Sequence, residues 1–155
     1  MTSVLLDTNL LVLLVVGSSN RDLIERHKRT KTFTRDDFDL LATTINSAPK
    51  VSATSQVLAE TSNLVAQIGE PLRSVLMQQL ALIIRAIDEE HVDAQAACQH
   101  EAFTRLGVTD CGILEHLSAN TTLLLTDDLN LYLEASRLGY LAQNFNHLRQ
   151  QSLLS

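Results

Sequence analysis

Four acidic sites in the chain have the residue type and placement to bind a divalent metal ion. Each follows an apolar stretch of the kind found in buried strands and helices; they are Asp7, Glu60, Asp110 and the adjacent pair Asp127 and Asp128. Carboxylates that lie close together repel one another, so a cluster of them is stable mainly when a cation neutralises it. Such hard oxygen ligands favour Mg²⁺ or Mn²⁺. A bound ion of this kind lowers the pKa of a water molecule and supports phosphodiester hydrolysis.

Each acid taken alone also has an ordinary structural explanation. Asp110 would favour a helix N-terminus, and Asp127 or Asp128 would cap the helix that follows. Glu60 fits a solvated helix surface. Asp7 lacks such an explanation, because an aspartate directly after a buried first strand has no obvious packing role. The metal-binding hypothesis therefore depends on the four sites lying together.

The hydrophobic pattern predicts strands that alternate with helices. The predicted strands span residues 3–6, 50–53, 122–125 and 140–145. The predicted helices span residues 10–16, 20–27, 34–46, 55–68, 72–87, 93–106, 109–118 and 129–138. This alternation predicts an α/β fold in which helices cover both faces of a central, mostly parallel sheet of four to five strands. Ligands of such sheets bind beyond the carboxyl ends of the strands.

Length and composition predict one globular domain that spans residues 1–155. The chain is 45% hydrophobic with a formal net charge of −6, and a chain of this length can bury a core without disulfides. No apolar run reaches the roughly 20 residues that span a membrane, and segment 4–16 lacks the flanking features of an export signal. Cys98 and Cys111 lack metal-site spacing and are predicted to be buried free thiols. A cytoplasmic protein in a reducing compartment is therefore expected.

Positive charge is concentrated in one segment, residues 21–35, which we call the basic strip. It holds six of the twelve Lys and Arg residues, together with His27; the six are Arg21, Arg26, Lys28, Arg29, Lys31 and Arg35. Such a strip beside an acidic body suits a protein that binds phosphates at one edge and cations at a carboxylate cluster. A solvated helix end explains the same charges, so both interpretations stay open.

Two other groups of polar residues are predicted to have no chemical role. The run Asp88-Glu89-Glu90 is typical of a solvated helix end. The five histidines lack the close pairing of a zinc site and are predicted to be surface or partly buried residues; they are His27, His91, His100, His116 and His147. Neither group therefore enters the metal-binding hypothesis.

The order and spacing of the four acidic sites resemble those of the PIN domain, a family of nucleases, over nearly the whole chain. The matching motifs are Asp7-Thr8-Asn9 after the first strand, Leu58-Ala59-Glu60, Thr109-Asp110 and Thr126-Asp127-Asp128. In this register Asp128 matches the fourth acid of the family, and Asp127 is its neighbour. The chain departs from the pattern at Cys111, where alanine is expected, and in residues 28–49, which are longer than in the shortest members.

The resemblance implies a three-layer PIN-like fold and a metal-dependent endoribonuclease that cuts single-stranded RNA. The residues implied to be catalytic and to bind Mg²⁺ or Mn²⁺ are Asp7, Glu60, Asp110 and Asp128, with Asp127 as an additional metal ligand. Asn9 and Thr126 would support the site by hydrogen bonds. The residues implied to bind RNA are Arg26, Lys28, Arg29 and Lys31. Many small members are toxins of toxin-antitoxin pairs, so the resemblance also implies an antitoxin protein and a homodimer.

Other interpretations are disfavoured or stay open. A phosphoryl-transfer enzyme of the haloacid-dehalogenase type also begins with a strand that ends in Asp, but it needs a second Asp where this chain has Asn9. A phosphoacceptor signalling domain needs an acceptor after a later strand, where this chain has Ala53-Thr54-Ser55. A non-catalytic module that uses the fold as a binding surface stays open, as does a nuclease that cuts structured DNA. The presence of all four acids favours activity.

Overall fold

Five parallel strands form the central sheet in the computed structural model, which describes residues 2–155. The strands are β1 (Val4–Leu6), β2 (Val51–Thr54), β3 (Asp88–Glu90), β4 (Leu123–Thr126) and β5 (Ala142–Asn144). The helices are α1 (Thr8–Ser19), α2 (Arg35–Asn46), α3 (Ser55–Val65), α4 (Leu72–Ala86), α5 (Ala94–Ala97), α6 (Phe103–Ala119), α7 (Leu129–Arg137) and α8 (Phe145–Leu154). The predicted α/β fold class is confirmed, with a sheet that is parallel throughout.

The order of the strands creates a crevice at the middle of the sheet. Strands follow one another as β3-β2-β1-β4-β5, so the chain builds outward from β1 in one direction and then from β4 in the other. Because crossovers between parallel strands are right-handed, the helices between β1 and β3 (α1–α4) and those between β3 and β5 (α5–α7) cover opposite faces. The resulting three layers are consistent with a PIN-like fold. Ligands of open α/β sheets bind at such a reversal, here between the carboxyl ends of β1 and β4.

Helix α1 is buried on nearly all sides, which explains its sequence. Nine of its twelve residues are buried, and it contacts α2, α3 and α4. A helix that is apolar all round belongs inside a protein, so the prediction of a buried helix at residues 10–16 is confirmed. The sheet contributes the fully buried Leu5, Leu6, Leu124 and Leu125 to the same core. Within the described part of the chain, no helix has the length and apolar character needed to cross a membrane.

The acidic run 88–90 is strand β3, so its prediction as a solvated helix end was wrong. The run pairs with residues 52–54 of β2, and Lys50 Nζ donates a hydrogen bond to Glu90 Oε1 at 3.0 Å. Charged side chains are common on a strand at the edge of a sheet, because they discourage pairing with other chains. Backbone pairing therefore outweighs the low strand propensity of Asp and Glu here.

Three helix predictions differ from the structure. Residues 20–27 form one turn of 3-10 helix (Arg21–Leu23) and then irregular turns, because the short segment has no apolar stripe long enough to bury a helix. The predicted helix 93–106 is broken between α5 and α6. Residues five apart on a helix point about 140° away from each other, and the break lets Ala97 and Ala102 both pack against Cys111. Helix α8 directly follows β5, where no helix was predicted.

Two predictions about burial were also wrong. Cys98 is exposed at the C-terminal end of the four-residue helix α5, whereas Cys111 is buried as predicted. His27 is fully buried. Its Nδ1 accepts a hydrogen bond from the Arg29 amide at 3.1 Å, so its Nε2 carries the proton and donates it to the Val65 carbonyl at 3.0 Å. This ring attaches the basic strip to the C-terminal end of α3.

The contact between α1 and α2 depends on the absence of a side chain at Gly17. A Cβ atom on Gly17 would lie 2.1 Å from Phe38 Cδ1 and 2.6 Å from Phe38 Cγ. Carbon atoms in contact lie about 3.5–4.0 Å apart, so the Phe38 ring occupies the place that a larger residue would need.

We expect Gly17→Ala to destabilise the protein, although alanine favours a helix. Overlap with the Phe38 ring should lower the free energy of unfolding by about 1–3 kcal/mol, the usual cost of overpacking a core. Urea denaturation measures this change. The substitution should cost less in a Phe38→Leu background, and an equal cost in the two backgrounds would contradict this explanation.

Candidate active site

The four predicted acids line one cavity of about 230 Å³ at the carboxyl end of the sheet. The cavity lies beyond the reversal between β1 and β4. Its lining residues are Asp7, Thr8, Asn9, Glu60, Leu106, Gly107, Val108, Thr109, Asp110 and Asp128. The structure therefore brings together acids from four separate parts of the chain.

Asp7 is the most buried of these acids, with 5% of its surface exposed. It directly follows β1 and caps α1, since its Oδ1 accepts a hydrogen bond from the Thr8 amide at 2.7 Å. Asp7 thus has a structural role that the sequence did not indicate. Burial raises the pKa of Asp7 to about 6; the hydrogen bonds from Thr126 and Thr8 oppose this effect, and the charges of Asp127 and Asp128 add to it.

The Thr126 hydroxyl connects the ends of the two central strands. It donates a hydrogen bond to Asp7 Oδ2 at 2.5 Å and accepts one from the Asp128 amide at 3.0 Å. Thr126 is fully buried at the end of β4, next to β1 in the sheet. A hydroxyl that both donates and accepts in this way restricts the relative positions of the two aspartates.

Asp128 and Asp127 have different surroundings although they are adjacent. Asp128 caps α7, because its Oδ1 accepts a hydrogen bond from the Leu131 amide at 3.0 Å. This role uses one carboxylate oxygen, and Asp128 also lines the cavity. Asn9 Nδ2 donates to Asp127 Oδ1 at 3.3 Å, so Asn9 supports Asp127. Burial raises the pKa of Asp127, and the bond from Asn9 opposes this shift.

Asp110 experiences the repulsion of the other three cavity acids. Burial raises its pKa to about 7, and the charges of Asp7, Asp128 and Glu60 contribute further. No hydrogen bond from the described residues offsets this shift. Glu60 reaches the cavity from an exposed position on α3. The ionised cluster is therefore destabilising by itself and would gain from a cation.

Gly107 interrupts α6 three residues before Asp110. Its φ of 85° and ψ of −179° lie in a region that is essentially restricted to glycine. The helix resumes at Val108, so Asp110 lies in the first turn of a helical segment, as predicted. Leu106 and the following residues up to Asp110 form one wall of the cavity.

Asn146 and Arg149 extend the site beside Asp127, and the sequence analysis did not predict them. Asn146 Nδ2 donates to the Asp127 carbonyl at 3.2 Å, and Arg149 Nη1 donates to Asn146 Oδ1 at 3.0 Å. The positive charge of Arg149 opposes the effect of burial on the pKa of Asp127. Both residues lie on α8, so only a prediction of this helix, directly after β5, would have placed them at the site.

Glu134 was also missed, and it joins two segments that carry cavity acids. It is a buried residue of α7 that forms ion pairs with Arg137 Nη2 at 2.5 Å and Arg105 Nη2 at 3.4 Å. Arg105 lies just before the part of α6 that carries Asp110, and α7 begins after Asp128. The pairs are partly solvated, so their main effect is to fix these segments relative to each other.

The donor chemistry of the cavity fits a hard divalent cation. Carboxylate oxygens are the ligands that Mg²⁺ and Mn²⁺ prefer, and the buried Thr8 Oγ1 has no hydrogen-bond partner. Among residues 2–155, no three His, Cys, Asp or Glu side chains are placed together closely enough to hold a metal ion. Mg²⁺ usually keeps several water ligands beside one or two carboxylates, so a bound ion would be completed by other oxygen atoms.

The predicted RNA-binding residues do not line the cavity. All four are exposed on the basic strip: Arg26, Lys28, Arg29 and Lys31. The strip follows the C-terminal end of α1, and a twelve-residue helix that starts beside Asp7 is about 18 Å long. Arg21 and Arg35 form ion pairs with Asp39 and Asp22. Four residues form no ion pair with any described side chain: Arg26, Lys28, Arg29 and Lys31. Of these, Arg29 donates a hydrogen bond from its Nε to Gln67 Oε1 at 2.7 Å.

Arg149 connects the far end of the basic strip to the edge of the site. Its Nη2 donates to the Thr32 carbonyl at 3.1 Å, and its guanidinium carbon lies 5.0 Å from the centre of the Phe33 ring. It also pairs with Asp37 at 2.9 Å. The end of the strip therefore lies near the Asp127 side of the site, whereas its beginning lies at the far end of α1.

Comparison with known proteins bears on the fold. No protein-family model matches the chain, and no functionally curated protein matches it. The crystal structure of PAE2754 from Pyrobaculum aerophilum is similar over 99% of this chain and 97% of that chain, with a TM-score of 0.61 and 11% identity. A domain of a functionally unknown protein from Methanocaldococcus jannaschii matches 93% of this chain and 91% of its own, with a TM-score of 0.49 and 18% identity. At 11% identity, the first likeness shows a shared fold alone.

The raised pKa values predict that the metal-free protein loses stability as the pH rises. The pKa values of Asp7 and Asp110 are about 6 and about 7 in the folded chain, whereas the ordinary pKa of an aspartate is 3.8. The folded state therefore binds these protons more tightly than the unfolded state. The stability that they contribute is complete below about pH 4 and is lost as the pH rises through about 6 to 7.

We expect Asp110→Asn to remove part of this loss. Without divalent ions at about pH 7.5, the free energy of unfolding should rise by about 1–3 kcal/mol after allowance for the partial exposure of Asp110. At about pH 4 the change should be small, and urea denaturation at both pH values measures it. Glu25→Gln, which removes an exposed carboxylate, is the matched control. A less stable Asp110→Asn variant at the higher pH would contradict the prediction.

Proposed function

We propose that this protein is a metal-dependent endoribonuclease of the PIN-domain type, which hydrolyses phosphodiester bonds of single-stranded RNA. The main support is that Asp7, Glu60, Asp110 and Asp128 line one cavity at the reversal of a parallel sheet. Burial and three neighbouring carboxylates raise the pKa of Asp110, which costs stability. A cluster that opposes folding in this way is explained best by a functional requirement.

The proposal gives each polar residue of the site a role. Asp7, Glu60, Asp110 and Asp128 would surround Mg²⁺ or Mn²⁺, one or two of them as direct ligands and the others through metal-bound water, and Asp127, beside the cavity, would be an additional ligand. The bound cation would lower the pKa of a water molecule and stabilise negative charge on the phosphate. Thr126 positions Asp7 and Asp128, and Asn9 positions Asp127, by the hydrogen bonds described above.

Positive charge outside the cavity supports a nucleic-acid substrate. Four side chains of the basic strip are exposed and form no ion pair with a described residue, and Arg149 lies between the strip and Asp127. Phosphates of an RNA strand would contact these Lys and Arg side chains while one phosphodiester enters the cavity. By its resemblance to small PIN-domain proteins, we further propose that it acts in the cytoplasm as a homodimeric toxin held inactive by an antitoxin protein.

Cleavage of labelled single-stranded RNA by the purified protein tests the proposed reaction. Native protein with Mg²⁺ or Mn²⁺ should cut the RNA, and EDTA should abolish cutting. Asp110→Asn should lower the rate by roughly 100-fold or more, the usual cost of removing one charge-stabilising group. Asp110 is the preferred target, because no hydrogen bond contributes to its pKa shift and the substitution therefore breaks none. Asp88→Asn removes an exposed carboxylate that lies outside both the cavity and the basic strip, and it should retain native activity.

Three results would count against this reaction. Cutting that survives in Asp110→Asn and in Asp7→Asn would place the activity elsewhere. Cutting of structured DNA, with single-stranded RNA left intact, would reassign the substrate. Absence of cutting, together with absence of Mn²⁺ binding, would favour a non-catalytic binding module.

The salt dependence of RNA binding tests the basic strip. Each phosphate contact to a single strand contributes about 0.7 to the slope of log affinity against log salt. The triple variant Arg26→Gln/Lys28→Gln/Lys31→Gln should therefore reduce the slope by up to about 2, measured in an Asp110→Asn background that leaves the RNA uncut. Lys50→Gln, which removes a positively charged side chain outside the strip, should leave the slope unchanged. An unchanged slope in the triple variant would identify the strip as a solvated surface.

A further inference from the structure

Thr8 carries a buried hydroxyl that has no partner in the protein. The residue is 5% exposed, and its Oγ1 forms no hydrogen bond. A buried polar group without a partner lowers the stability of the folded chain. The great majority of buried polar groups in proteins are hydrogen-bonded, so an exception calls for a specific explanation.

Helix capping does not explain this hydroxyl. Thr8 is the first residue of α1, and its backbone amide already bonds to Asp7 Oδ1 at 2.7 Å. The other oxygen of Asp7 accepts its hydrogen bond from Thr126. The fixed position of Asp7 therefore does not require the side-chain oxygen of Thr8.

The residue that carries the unpartnered atom lies among the carboxylates. Four buried side-chain atoms among the described residues lack a partner: Thr8 Oγ1, Gln56 Oε1, Thr61 Oγ1 and His100 Nδ1. Of these four residues, Thr8 lines the cavity formed by Asp7, Glu60, Asp110 and Asp128. The unsatisfied hydroxyl and the mutually repelling acids therefore belong to the same site.

A cation in this cavity would need oxygen ligands beyond the acids. No three His, Cys, Asp or Glu side chains of residues 2–155 converge closely enough to hold an ion by themselves. A hydroxyl oxygen is a suitable neutral ligand for Mg²⁺, as the Ser or Thr of phosphate-binding loops shows. It adds a donor without adding negative charge to a cluster that already repels itself.

We propose that Thr8 Oγ1 supplies an oxygen contact to the divalent cation held by the cavity acids. The inference rests on the proposed function, because it requires that the cluster binds a metal ion. It assigns Thr8 as a metal ligand, and it explains why a hydroxyl that opposes folding of the metal-free chain is present.

Two substitutions separate the hydroxyl from the shape of the side chain. Thr8→Val keeps the branched shape and removes the oxygen, whereas Thr8→Ser keeps the oxygen. Mn²⁺ affinity is measured by titration calorimetry without RNA, and thermal unfolding is followed without and with Mn²⁺. Thr8→Val should weaken Mn²⁺ binding by about 10-fold or more, yet leave the metal-free protein as stable as the native protein or more stable. Thr8→Ser should bind Mn²⁺ with nearly native affinity.

Each other result would overturn the inference in a recognisable way. Native affinity in Thr8→Val, beside weakened affinity in Asp110→Asn, would remove the role of Thr8 and leave the proposed function intact. A less stable metal-free Thr8→Val protein would show that the hydroxyl is bonded within the fold. Absence of Mn²⁺ binding by the native protein would overturn both the inference and the metal-dependent function.

Discussion

The hydrogen bond from Thr126 Oγ1 to Asp7 Oδ2 is the interaction on which the rest of the site depends. Asp7 is placed by the sheet at the end of a buried central strand, where water cannot solvate its charge. Burial of the carboxylate would be costly without hydrogen-bond donors. The two donors are the Thr126 hydroxyl, on the neighbouring strand β4, and the Thr8 amide at the start of α1. Because Thr126 also accepts from the Asp128 amide, this bond sets the start of α7 relative to the start of α1.

The site combines strong internal support for two acids with little support for a third. Asp7 and Asp128 are fixed by hydrogen bonds that also cap helices, so their positions are part of the fold. Burial and neighbouring charges raise the pKa of Asp110, and no hydrogen bond relieves it. Residues at binding sites commonly lower the stability of the folded protein, because they are arranged to bind a ligand. The unpartnered Thr8 hydroxyl in the same cavity follows this pattern.

The sequence predicted the parts of the fold that hydrophobic periodicity controls. Strands β1 and β4 and the buried α1 have nearly continuous apolar sequences, and Asp7 and Asp128 come directly after or close to the ends of these two strands. Strand β3 was missed because its acidic residues are held by pairing with β2, which no local pattern reveals. Helix α8 was missed because its apolar residues form no clear stripe, and Asn146 and Arg149 were missed with it. Strand β3 and helix α8 depend on contacts between segments that are distant in the sequence, which local patterns do not reveal.

The position of Arg149 bears on the conflict between the acidic composition of the protein and the anionic substrate that we propose for it. The net charge of −6 is spread over the body of the chain, but affinity for a phosphate depends on the local field. The charge of Arg149 opposes the effect of burial on the pKa of Asp127, and its Nη2 donates a hydrogen bond to the Thr32 carbonyl near the end of the basic strip. Arg149 thus provides a positive charge between the end of the strip and the carboxylates, although it also pairs with Asp37. An RNA strand that follows the basic strip past Arg149 would reach the cation that we propose for the cavity. That cation would neutralise both the phosphate charge and the charge of the acids.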